Sequence, residues 1–295
     1  MSRLVARRTL LVVLLVWGIA ALRTAWPVAA QRPGQISPAS TAVDLHLVLA
    51  VDVSWSMDPD EQRLQRDGYV AAFRDPAIHK AITSGQTGRI AVTYFEWAGA
   101  DIQFHVIPWT VIDGPAAAMR LSDELAQRRI SRHRMTSISS ALDYARRLLA
   151  NAPGEAQRQV VDVSGDGPNN SGVSPVTRLR DELVGAGIVI NGLPIMLKSG
   201  ASSATGFGQD IPDLDVYYQR CVIGGPGSFM IPIRTPAEFA TATRQKLLQE
   251  ISAAPAPSLQ RAQMTLPEPG SREAAYDCEI GERNWRNYYL DRGRY

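Results

Sequence analysis

The sequence predicts an α/β domain with a mostly parallel sheet covered by helices on both faces. Three observations carry this. Apolar runs of strand length alternate with segments whose apolar residues recur at helical spacing. Several of those runs are apolar throughout, as strands buried on both faces must be. The chain has 295 residues, enough for one large domain of this kind.

The elements follow in order. Val43 to Val53 is a near-continuous apolar strand. Pro59 to Phe73 is a helix with Leu64, Tyr69, Val70 and Phe73 as its stripe. RIAVTYFEWA, from Arg89, is a strand. IQFHVIPWTVI, from Ile102, is another, close enough in sequence to be its hairpin-like neighbour. Ala116 to Ile130 and Ser137 to Ala150 are helices, the second with Ile138, Ala141, Leu142, Ala145 and Leu148 at helical spacing. RQVVDVSGDG, from Arg158, is a strand running into a glycine-rich turn. Pro175 to Gly185 is a helix, IVINGLPIML from Ile188 a strand, and SFMIPI from Ser228 the last strand. Pro236 opens the closing helix, where its missing N–H does no harm. ASSATGFGQDIPDLDVYYQ, from Ala201, reads as a polar surface loop. Its Asp210, Asp213 and Asp215 do not fit the spacing of an EF-hand.

Around this domain, 43–252, the flanks differ in composition. Residues 1–30 read as a secretory signal peptide: Arg3, Arg7 and Arg8, then an apolar run from Leu10 to Leu22, then Val28 and Ala30 before a cleavage point. The alternative is an uncleaved anchor, which would be the chain's membrane contact. The twin arginine at Arg7–Arg8 leaves the export route open. Residues 31–42, with Pro, Gly and Ser, read as a flexible linker, and 253–270 as a Pro/Ala-rich one. The tail, 271–295, holds Tyr276, Trp285, Tyr288, Tyr289 and Tyr295; it is too small for its own core and is expected to dock on the domain.

Export implies a periplasmic or extracellular site, where the two cysteines, Cys221 and Cys278, suggest one disulfide that would staple the tail. Two free thiols are the alternative. The net charge is +2, from 31 basic and 29 acidic residues, which gives no support for a nucleic-acid partner.

Ligands of open α/β sheets bind at the carboxyl ends of strands. Two predicted strands end in polar oxygen groups, VDVSWSMD and VDVSGDGPNN, and RMTSISSAL puts Thr136 in a loop before a helix. Thr136 alone would read as a helix cap. Together Asp52, Ser54, Ser56, Thr136 and Asp166 give two carboxylates and three hydroxyls at one edge. An oxygen set with no His or Cys favours a hard divalent cation, Mg²⁺ or Mn²⁺. Two formal charges leave such a cation room for one more anion.

DVSWS matches the Asp-x-Ser-x-Ser motif of the von Willebrand factor type A domain, MTS supplies its threonine, and SGDG resembles its final Asp-Gly. The resemblance covers about residues 43 to 252. It implies a six-stranded Rossmann-like sheet with one short antiparallel edge strand and a metal-ion-dependent adhesion site at the top. Ser54 and Ser56 resemble direct ligands. Thr136 resembles the ligand that engages directly or through water. Asp52 and Asp166 resemble the carboxylates that act through water or through the serines. The implied function is non-enzymatic: the cation accepts an Asp or Glu carboxylate from a partner protein. SGDGPNN with the later YYQRCVIGGPGSF resembles a bacterial branch of uncharacterised function. Trp55 departs from the small residue often found there; it either packs on a helix or offers an aromatic partner contact. Arg132 and Arg134, in RRISRHRM, read as a solvated loop or as a rim that attracts an acidic partner.

Two other readings compete. In one, the protein is structural or acts in assembly, and the metal only stiffens its loops. In the other, GDGPNN belongs to a haloacid-dehalogenase-like phosphatase. That chemistry needs a carboxylate where Ser54 stands and a lysine between Lys80 and Lys198, where there is none. The four histidines, His46, His79, His105 and His133, sit in unrelated settings.

Overall fold

The computed structural model describes residues 42–172, 174–197, 211–253 and 276–292. The expected signal peptide, the bodies of both linkers and the Ala201–Asp210 part of the polar insertion lie outside those residues.

The elements are β1 (Val43–Asp52), α1 (Pro59–Arg74), α2 (Pro76–Thr83), β2 (Ile90–Trp97), β3 (Gln103–Ile112), α3 (Pro115–Gln127), α4 (Ile138–Ala150), β4 (Ala156–Gly165), α5 (Val176–Gly185), β5 (Val189–Pro194), α6 (Leu214–Tyr217), α7 (Phe239–Ser252) and α8 (Ile280–Arg292). The sheet order is β3-β2-β1-β4-β5. All neighbours are parallel except β2 and β3, which form the expected antiparallel pair.

The period of two in β1 sorts the cores. Leu45, Leu47, Leu49 and Val51 face α1, α3 and α7. Val48 and Ala50 face α4 and α5 on the other side. That is why β1 reads as one continuous apolar run.

The helices start where local chemistry lets them. Asp58 caps α1 by accepting the Glu61 N–H, and the Glu61 carboxylate accepts the Asp58 N–H in return. Asp75 caps α2, a helix that sequence periodicity did not single out, and accepts the Ala77 N–H at 2.7 Å.

Three expectations need correction. The sheet has five strands among the described residues, not six. The predicted last strand pairs with the sheet through isolated parallel bridges, from Met230 to Gly192 and from Ile233 to Ile195, and forms no ladder. Pro232, between them, has no N–H to donate to a ladder. The antiparallel strand β3 is ten residues long, not short. Finally, the end of the supposed surface loop is buried structure. Leu214–Tyr217 and the π-helical turn Tyr218–Val222 bury Tyr217, Tyr218 and Cys221 completely.

Cys221 and Cys278 form a disulfide across 57 residues of chain. A loop of that length removes about 4 kcal/mol of unfolded-chain entropy in the chain-entropy account. Tyr276, Cys278 and Ile280 pack on the α4–α5 core beside it.

The opposite face buries a charged cluster. Lys246 of α7 meets Asp162 of β4 at 2.7 Å and Glu250 at 2.5 Å. Tyr69 donates to Asp162 at 3.2 Å, and the Asn191 amide donates to Glu250 at 3.0 Å. One ammonium thus serves two buried carboxylates.

Candidate metal centre

β1 and β4 are paired in register, with Val51 opposite Ser164. Parallel strands end at the same edge, so Asp52 and Gly165 finish side by side and Asp166 follows at once. The chain also reverses direction here, filling one side of β1 with β2 and β3 and the other with β4 and β5. This is the switch point at which such sheets hold ligands.

Beyond Asp52 the chain turns sharply. Asp52 Oδ1 accepts the Ser54 N–H at 2.7 Å, the side-chain turn that aspartate favours. The Ser54 and Ser56 hydroxyls lie 2.7 Å apart, and Ser56 donates to Asp166 Oδ1 at 2.5 Å. Four of the five predicted residues are therefore joined in one chain of hydrogen bonds. The turn is braced from outside. Gln62 donates to the Ser54 carbonyl at 3.3 Å, and Arg132 donates to the carbonyls of Trp55 and Met57 at 2.8 and 3.1 Å.

Thr136 comes from a third segment. His133 bridges to Ser54, its N–H on the Val53 carbonyl at 3.0 Å. Met135 then adopts φ 70°, a left-handed conformation that side chains avoid. The bonds on its far side hold it there. Ser137 donates its N–H to the Ala98 carbonyl at 2.7 Å. Asn170 Oδ1 accepts the Thr136 N–H at 2.9 Å, and the Asn170 N–H reaches the Thr136 carbonyl at 2.8 Å. The Thr136 hydroxyl faces the turn after Asp166: a Cβ on Gly167 would lie 3.9 Å from its Oγ1.

Asp52 is fully buried, and its Oδ2 has no hydrogen bond. Burial, and after it the charge of Asp166, pushes the Asp52 carboxyl well above the usual carboxylate range; the Ser54 bonds pull it back only in part. The surroundings are tight. A Cβ on Gly165 would stand 2.8 Å from Asp52 Oδ2 and 3.0 Å from the Tyr218 hydroxyl. Among the described residues, no three His, Cys, Asp or Glu side chains gather. A cation at this edge would be met by hydroxyls and two carboxylates. That donor chemistry fits Mg²⁺ or Mn²⁺ and lacks the soft ligands of a thiolate site.

One cation–aromatic contact and one ring–ring contact border the centre. Trp55 is 42% exposed, and the Arg134 guanidinium sits 4.6 Å from its ring. Phe104 of β3 is 41% exposed and lies 5.0 Å from the His133 ring. Arg132 remains exposed while two of its N–H groups hold the turn. Arg66 and Glu96, a buried ion pair, support the segment before it. Arg66 donates to the Leu125 and Arg128 carbonyls, and Glu96 accepts from Ser131.

Sequence reasoning missed Asn169 and Asn170. Asn169 Oδ1 accepts the Ser139 N–H at 2.9 Å, its amide donates to the Ser171 carbonyl at 3.1 Å and to Glu282 at 2.6 Å, and its N–H meets the Tyr217 hydroxyl at 3.1 Å. The signal was the paired asparagines after GDG.

Residues 42–255 match the family described as "Protein of unknown function (DUF1194)". The chain belongs to the DUF1194 family. No curated protein matches it. Among solved structures, this DUF1194 chain is similar to proximal thread matrix protein 1 from the mussel byssus, at 15% identity and a TM-score of 0.49, over 71% of this chain and 47% of that one. The DUF1194 chain thus spans about half the length of the mussel protein. It is similar to a von Willebrand factor type A structure from Catenulispora acidiphila, at 16% identity and a TM-score of 0.46, over 71% of this chain and 43% of that one. A third likeness is to BatB from Bacteroides thetaiotaomicron, at 16% identity and a TM-score of 0.43, over 70% and 97%. Independently of these, the antiparallel edge pair and the meeting of three segments at the β1–β4 edge agree with what the von Willebrand factor type A resemblance implies.

Proposed function

We propose that this domain is an exported, non-enzymatic protein-binding module that holds Mg²⁺ or Mn²⁺ through Asp52, Ser54, Ser56, Thr136 and Asp166. The observation that carries the reading is the hydrogen-bonded chain from Asp52 through Ser54 and Ser56 to Asp166, with the buried Asp52 Oδ2 lacking any hydrogen bond. A buried carboxylate oxygen without a partner is costly, and a cation offsets that cost.

A cation bound there supplies a coordination position for a carboxylate of the partner protein. The chain's own residues do the rest. Ser54 and Ser56 present lone pairs on a turn fixed by Asp52, and Asn170 sets the position of Thr136. Trp55 with Arg134, and Phe104 with His133, form a rim that favours an acidic segment flanked by apolar side chains. Ser54 occupies the position where a phosphatase would need an acid, which supports the non-enzymatic reading.

Calorimetric titration of Mg²⁺ and Mn²⁺ into the purified chain, wild type against Asp52→Ala, tests this. Saturable binding lost in the variant is expected. No saturable binding to the wild type refutes the site. Capture of envelope proteins on the loaded wild type, lost in chelator and in Asp52→Ala, is the expected partner result. Capture unaffected by either refutes the adhesion role.

A further inference from the structure

Helix α8 lies outside the sheet and outside every segment that carries a candidate ligand. It nevertheless reaches them through one residue. Glu282 accepts from the Asn169 amide, and Asn169 in turn accepts the Ser139 N–H at the start of α4, immediately after the Thr136 loop. The approach is close: a Cβ on Gly281 would stand 2.0 Å from the Asn169 carbonyl oxygen and 3.1 Å from Pro168. A glycine is required for the helix to sit this near.

The other end of the same strap is fastened twice. Cys278 is bonded to Cys221, and Tyr276 donates to Asp213 at 3.0 Å. Cys221 belongs to the buried turn whose neighbours, Tyr217 and Tyr218, touch the centre from behind. The Tyr217 hydroxyl accepts the Asn169 N–H, and Tyr218 stands beside Asp52 at Gly165. The disulfide therefore ties together two elements that both contact the loop 166–171.

We propose that α8 is a disulfide-tethered strap that positions the metal-bearing loops, with Glu282 acting through Asn169 as a positioning residue. Asn169 connects four elements: the loop after β4, the first turn of α4, the Tyr217 segment and α8. Removing the Glu282 contact leaves the Asn169 side chain held only by Ser171 and Ser139, and the Ser139 and Thr136 backbones loosen with it. The tether makes the contact effectively intramolecular and local, so a single hydrogen bond suffices to hold it. The part of this proposal that concerns affinity rests on the metal reading above; the part that concerns loop order does not.

The test uses the full chain and two readouts: Mn²⁺ titration by calorimetry, and amide hydrogen exchange at Ser139, Asn169 and Asn170. Glu282→Ala is expected to weaken Mn²⁺ by about tenfold, the lower edge of what loss of an outer partner costs. Exchange at the three amides should speed up while the β1 and β4 amides stay protected. Glu282→Gln keeps an acceptor and should restore both readouts, which a general loss of packing would not allow. Gly281→Ala should mimic Glu282→Ala by lifting the helix from Asn169. Wild-type exchange at the three amides in both Glu282→Ala and Gly281→Ala overturns the strap. Absence of saturable Mn²⁺ binding to the wild type refutes the metal reading instead, and the exchange arm then decides the strap alone. Altered exchange with unchanged Mn²⁺ affinity overturns the link between strap and site.

Discussion

Asn170 holds Thr136 at both ends of one residue, its side chain on the Thr136 N–H at 2.9 Å and its own N–H on the Thr136 carbonyl at 2.8 Å. The arrangement fixes a hydroxyl without touching it. It also opposes the strain at Met135, which sits at φ 70° one residue earlier.

Asn170→Ala should therefore lower Mn²⁺ affinity by about tenfold, the scale on which partners of ligands act. Calorimetry on the variant and the wild type checks this. Equal affinities would show that the Thr136 position does not depend on the clamp.

Asp52→Asn should separate stability from binding. The amide keeps an acceptor for the Ser54 N–H and removes a buried charge that Asp166 opposes. Without metal, the variant should melt at or above the wild-type temperature. With Mn²⁺ at about 100 times its dissociation constant, the wild type should gain about 3 kcal/mol, and the variant should gain nothing. A metal-induced shift of equal size in both proteins contradicts the assignment of Asp52.

Met135 offers a backbone test. Asn tolerates the left-handed region and a β-branched residue does not. Met135→Asn should leave the unfolding free energy within about 1 kcal/mol of wild type, whereas Met135→Val should cost about 2 kcal/mol. Denaturant unfolding of the two variants, ranked in the opposite order, would mean that the conformation is not what this position requires.

Glu250 sets a pH dependence. Its carboxyl is pushed up to about 7: burial raises it most, Lys246 pulls it back, and Asp162 raises it again. Its ordinary value is 4.5. The fold thus holds the proton more tightly than the unfolded chain does. The stability this contributes is complete below pH 4.5 and lost as the pH rises through about 7. A shift of that size corresponds to about 3 kcal/mol. Glu250→Gln leaves Lys246 with Asp162, and its unfolding free energy should vary less between pH 5 and pH 8 by about that amount. Parallel pH profiles for the two proteins would rule out Glu250 as the source.

The rim should govern encounter rather than metal binding. Arg134→Ala and Trp55→Ala should leave Mn²⁺ affinity unchanged and weaken capture of the partner, with Arg134→Ala also reducing the effect of salt on the association rate. Surface plasmon resonance at two ionic strengths with the captured protein provides the check. A variant that binds the partner as the wild type does would remove that residue from the contact.

The sequence carried the alternation of elements because β1, β2, β4 and β5 are buried on both faces and spell it out as apolar runs. It carried the candidate oxygens because strand ends in a parallel sheet must converge, so Asp52 and Asp166 could be placed together from order alone. It did not show the clamp. Asn169 and Asn170 act through contacts with Ser139 and Thr136 some thirty positions away in the chain, and no local pattern encodes a partner at that distance. Tyr217 and Tyr218 were hidden by polar neighbours, which made a buried turn look like a loop. SFMIPI failed as a strand because Pro232 breaks the ladder that its apolar character suggests. Arg132, read as a solvated loop residue or as part of a rim, also braces the turn: it donates to two carbonyls of its own chain, which charge alone does not reveal.

The order of the parts along the chain has a temporal side. All five candidate ligands precede Gly167, while Tyr217 and Glu282, which hold Asn169, follow at a distance. A polypeptide emerging from its N-terminus first displays the full motif long before the groups that set its loops exist. On the proposed strap, competence at the top of the sheet is a late event, timed by the arrival of α8 rather than by the appearance of the ligands. A nascent or clipped chain would carry the signature without the shape.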